Sequence, residues 1–133
     1  MAMTITDTPL INLDTGEDIA GKEGFAGVIS GGKIQLADDG EDAADTMIGV
    51  ISSVQGNYDD GNQSAALQVT GVAYALLGGA VPAGAPVTCA ASGEDADWIE
   101  ALSGKYAKGF ALQTGADTEL IQVVLIGTAF SAV

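Results

Sequence analysis

Ser64-Ala65-Ala66-Leu67-Gln68-Val69-Thr70-Gly71-Val72-Ala73-Tyr74-Ala75-Leu76-Leu77 is followed by Gly78-Gly79-Ala80-Val81-Pro82-Ala83-Gly84-Ala85-Pro86, then by Val87-Thr88-Cys89-Ala90-Ala91. The fold class turns on these residues. Leu67, Val69, Ala73, Ala75 and Leu77 share one parity, and Gln68, Thr70 and Tyr74 share the other. A period of two marks a half-buried strand, with Gly71 free to bend it or take a bulge. The Gly/Pro-rich connection excludes a helix and returns the chain into a second strand at Val87. A long central strand, a rigid turn and a return strand make a scaffold, and no group in it has obvious chemistry.

Outward from this stretch the pattern repeats. Residues 25–29 read as a short strand, Gly31-Gly32 as a hairpin turn, and residues 33–37 alternate cleanly. Residues 38–45 form an acidic loop, 47–54 a strand apolar enough to be central, and 55–62 a loop tip. Beyond the return strand come an acidic turn at 92–95, a segment at 97–102 that fits a strand or a short helix, and a strand at 106–114. The last strand, 120–129, is nearly all apolar through Ile126, which implies that both its faces are covered. The predicted fold is mainly β: a small Gly/Ala-rich antiparallel β-barrel or sandwich with an extended N-terminal arm. Its predicted core is Ile34, Leu36, Ile48, Val50, Leu67, Val69, Val87, Leu112, Val123 and Leu125.

Residues 1–24 are polar and acidic, with Ile5, Leu10, Ile11, Leu13 and Ile19 scattered among them and Pro9 and Gly16 breaking any period. They read as an arm available to lie on another surface, or else as a frayed end or edge strand. Residues 25–133 then form one β domain. An internal echo runs through it. Residues 32–37, an acidic loop and Ile48-Gly49-Val50-Ile51 resemble residues 84–90, an acidic loop and Lys108-Gly109-Phe110-Ala111-Leu112. A further apolar strand follows each, at Leu67 and at Leu120. This is either a repeated unit or the common texture of two hairpins in a Gly/Ala-rich chain.

Composition narrows the function. The 133 residues hold no His, and the four cations, all Lys, face eighteen carboxylates, for a formal charge of −14. Such a balance argues against nucleic acid and anionic membranes as partners, because phosphate contacts need clustered cations. A lone cysteine, Cys89, makes no internal disulfide and reads as a small buried hydrophobe. The N-terminus has no signal-peptide pattern and no apolar run reaches membrane length, so the chain is expected to be made in the cytoplasm. Without His, neither a His-assisted nucleophile nor the common His-ligated zinc site is possible. The acidic runs at 38–45 and 59–62 lack the ligand spacing of a calcium loop. No catalytic residue, cofactor or metal site is therefore expected. Trp98 and Tyr106 offer either a sugar-stacking surface or ordinary core. A thin Ala-rich core would gain stability from assembly.

Gly27-Val28-Ile29-Ser30-Gly31-Gly32-Lys33-Ile34-Gln35-Leu36-Ala37, then Ile48-Gly49-Val50-Ile51, resembles the head decoration, or capsid cement, proteins of tailed bacteriophages. The likeness continues through Val69-Thr70-Gly71-Val72-Ala73, residues 78–87, Gly109-Phe110-Ala111-Leu112 and residues 120–126. It covers about residues 20–127 and lies in the order of Gly-punctuated strands, with no invariant signature. The resemblance implies a homotrimer on the outside of an expanded icosahedral shell, held against the major capsid protein partly by its N-terminal arm. Ile5, Leu10, Ile11 and Leu13 are then the capsid-binding arm residues. The rival reading is a β-barrel binding module, for example for carbohydrate; a small enzyme has least support.

Overall fold

The structure, a computed structural model, describes residues 10–37, 48–89 and 96–132, with backbone alone at 127–129. Among the described residues, ten strands form two antiparallel sheets. The first holds β1 (Leu10–Asp14), β2 (Ala26–Ser30), β3 (Lys33–Leu36), β4 (Ile48–Gln55) and β5 (Ser64–Gln68). The second holds β6 (Thr70–Leu76), β7 (Pro86–Cys89), β8 (Trp98–Glu100), β9 (Tyr106–Ala111) and β10 (Leu120–Ser131). The sheet orders are β1-β5-β4-β2-β3 and β6-β10-β9-β7-β8, one topology used twice.

The likeness extends to register. Ile11 faces Leu67 as Ala73 faces Val123, Ile51 faces Leu67 as Ala111 faces Val123, and Gly27 faces Gly49 as Val87 faces Gly109. Each sheet curls until its edges meet in a parallel bridge, Thr15 with Ile34 in one and Leu77 with Trp98 in the other. Each half is thus a small barrel. Its inward side chains correspond pairwise: Ile19 with Val81, Ile29 with Cys89, Ile34 with Trp98, Ala65 with Ile121. Glycines match as well. A Cβ at Gly49 would strike the Gln68 carbonyl, and one at Gly109 the Val124 carbonyl, the same position in the other barrel.

The internal echo is therefore a structural repeat. Its pairing of β4 with β9 and of β5 with β10 is borne out. Residues 33–36 correspond to β8, however, and not to residues 84–90, because it is β2 that occupies the place of β7.

Several expectations need correction. The strand expected at 64–77 is two strands in two barrels: the chain crosses at Val69, and Gly71 takes a φ of +82°. The Gln68 side chain spans the crossing, donating from Nε2 to the carbonyls of Thr70 (3.0 Å) and Val72 (2.7 Å). The arm is not free up to residue 24. β1 pairs along β5 and Ile19 is fully buried, so residues 10–24 belong to the folded body. The buried Gln63 anchors this segment: its Oε1 accepts from Thr15 Oγ1 (2.8 Å) and the Ile19 N–H (3.1 Å), and its Nε2 donates to Asp18 (3.1 Å).

Of the predicted core, Ile34, Ile48, Val50, Leu67, Val87, Val123 and Leu125 are buried, whereas Leu36 and Val69 are half-buried and Leu112 is exposed. Residues 97–102 contribute a strand, and the Gly31-Gly32 hairpin forms as expected, with φ of +60° and +78°. The loops at 38–45 and 92–95 lie outside the described residues.

The barrels join through one asymmetric contact. Ala26, Ala37, Ile48 and Val50, outside the first barrel, pack into the cluster that holds the second barrel's core. Gly24 sits against Leu76 and Leu120; its carbonyl accepts from the Leu76 N–H at 2.9 Å. The Ala26 N–H donates to the Ala96 carbonyl at 2.6 Å.

Candidate interaction surface

The described residues hold no group of three or more potential metal ligands. Asp59 and Asp60 sit in a single 3₁₀ turn capped by Asn57, whose side chain accepts from the Asp59 N–H at 2.9 Å. Trp98 is fully buried in the second barrel, opposite Cys89, and Tyr106 is half-buried on β9. No sugar-stacking platform exists there. The groove where the barrels meet, lined in part by Glu23, Ser52, Gln68 and Tyr74, has a volume of about 220 Å³.

What stands out is a surface. From Leu120 to Ile126 on β10, Ile121, Val123 and Leu125 point into the barrel; Leu120 is 57% and Ile126 43% exposed, which corrects the expectation that both faces are covered. Register places these outward residues beside those of β6 and β9: Val124 faces both Val72 and Phe110, and Gln122 faces Tyr74. Phe110 stacks on Phe130 with ring centroids 4.9 Å apart, and Leu112 at the end of β9 is also exposed. The outward positions of β6 and β9, and of β10 through Ile126, carry no carboxylate in a chain that has eighteen.

The repeat supplies an internal control. Where the second barrel has Tyr74, Leu120 and Val124, the first has Asn12, Ser64 and Gln68 at matching register positions, whereas Val72 and Phe110 correspond to the apolar Leu10 and Val50. The same topology thus folds with polar residues at those three places, so apolar residues there are not a demand of the fold. Contiguous exposed apolar surface of this kind marks an interaction site.

The four arm residues separate. Ile5 lies outside the described residues, Leu10 is exposed at the start of β1, and Ile11 and Leu13 are half-buried, with Leu13 packed on the first barrel's core. Of the three described, Leu10 points away from the side that Ile11 and Leu13 share. Sequence reasoning missed the face on β6, β10 and β9; the surplus of apolar residues in the last strand was its visible trace. Compared with known proteins, the chain matches no family model, no curated protein and no solved structure.

Proposed function

We propose that this chain is a structural protein of a tailed-phage virion, made in the host cytoplasm. As a homotrimer it binds the major capsid protein on the outer surface of the icosahedral shell and stabilises the expanded form. The carboxylate-free, largely apolar face across β6, β10 and β9 carries the reading. It suits docking on a broad protein surface, and the first barrel has polar residues where the face has Tyr74, Leu120 and Val124. The resemblance to decoration proteins and an inventory without His or Arg support the same conclusion. A cement protein works by mass action, binding the assembled shell and not its separated subunits. Many weak contacts acting together suffice.

Cosedimentation with purified expanded and unexpanded capsids tests this. The wild type should pellet with expanded shells, and Val72→Asp, at a side chain 50% exposed in the middle of the face, should lose at least about tenfold in affinity with an unchanged melting curve, in line with losses at central interface residues. A wild type that stays in the supernatant refutes the proposal.

A further inference from the structure

We infer that copies of this chain associate head to tail by repeating, between molecules, the contact that joins the two barrels within one molecule. That contact is heterologous: a corner of the first barrel (Gly24, Ala26, Val50) sits on a different part of the second (Leu76, Ala96, Leu120). A heterologous contact leaves one unused surface of each kind, and both are present.

The second barrel's unused corner is Gly84, Pro86 and Phe110, the register equivalents of Gly24, Ala26 and Val50. Val50 is 2% exposed beneath the neighbouring barrel, whereas Phe110 is 36% exposed. Gly84 and Gly24 share the left-handed φ, +85° and +89°, yet a Cβ at Gly24 would press on Leu120 while one at Gly84 would meet nothing within 4 Å. The first barrel's unused receptor is where Leu76, Ala96 and Leu120 have their equivalents in Asp14, Gly32 and Ser64. These line an open hollow of about 380 Å³, together with Asn12, Gly31 and Lys33. The structure therefore has a projecting corner and a concavity at the two places the internal contact designates.

The occupant of the hollow is the Gly84–Pro86 corner of a second copy. The Asp14 N–H and the Gly84 carbonyl take the roles of Leu76 and Gly24. Pro86, lacking an N–H, forgoes the hydrogen bond that Ala26 makes. The arrangement deepens the trimer proposed above, in which intrachain and interchain contacts would alternate around a ring; it is read in solution, without capsids.

Two variants test it, each spoiling one surface. Phe110→Asp alters the corner, and Ser64→Trp fills the hollow at a place where the second barrel already carries a leucine. Sedimentation should show a closed oligomer for the wild type, monomers for each variant alone, and a heterodimer when the two are mixed, since one intact contact remains. Melting curves verify folding; should either variant melt early, Ala83→Arg at the exposed corner and Asn12→Trp at the rim of the hollow replace them. A monomeric wild type at moderate salt overturns both this mode and the trimer. A wild-type oligomer that survives Ser64→Trp, or variants that stay monomeric when mixed, overturns the head-to-tail contact and leaves capsid binding to its own assay.

Discussion

Single side chains in the two barrels carry separable costs. Thr88 is fully buried and its Oγ1 has no hydrogen-bond partner. A buried hydroxyl left unpaired costs about 1–3 kcal/mol. Thr88→Val keeps the shape and removes the polar atom, so it should raise stability by about 1 kcal/mol, read as a higher denaturant midpoint with unchanged slope. Gln63→Ala works the other way: it orphans the Ile19 N–H and the Thr15 hydroxyl and should cost roughly 1–3 kcal/mol by the same measurement. Val123→Asp buries an unpaired charge where exposure is zero and should abolish the folded circular dichroism signal. Val69→Asp should be milder, because the crossing leaves Val69 half-buried between strands.

Among the elements, β1 decides how the N-terminus behaves. The apolar residues at 10–13 were legible in the sequence, but their role was not, since Pro9 and Gly16 hide a five-residue edge strand from any periodicity. The two ends of the segment should now respond differently to truncation. Deleting residues 2–9 should leave the melting temperature unchanged, and on the proposed function should weaken capsid binding. Deleting residues 2–14 removes the strand paired with β5 and should lower the melting temperature by several degrees, as about 1 kcal/mol does in a domain of this size. Equal melting curves for the two truncations would show that β1 contributes nothing to the fold.

For the molecule as a whole, the −14 charge opposes every contact between copies. Screening is weak at low ionic strength, where the Debye length is about 30 Å at 0.01 M and falls to about 8 Å at 0.15 M. Self-association should therefore tighten as salt rises over that range, as read by sedimentation equilibrium. An oligomer that dissociates with added salt would place attractive charge pairs, rather than the apolar corner, at its interface.

The sequence by itself determined most of the strands, though not β1 or the break at Val69, because alternation and turn chemistry are local: Gly31-Gly32 readily supplies the positive φ of a tight hairpin, and the parity of Leu67, Ala73, Ala75 and Leu77 fixes which side faces inward. It also bounded the chemistry, since a chain without His or Arg cannot assemble the commonest catalytic and phosphate-binding groups. Only the tertiary structure decided which interior each strand serves. The crossing at Val69 keeps the same parity on both sides, so the pattern runs on unbroken while the core it points into changes from one barrel to the other. The repeat was likewise faint in sequence, because Ile34 and Trp98, or Ala65 and Ile121, fill the same position with different volumes. Register follows the alternation of apolar positions and the turn geometry, which the two halves share without sharing residue identities.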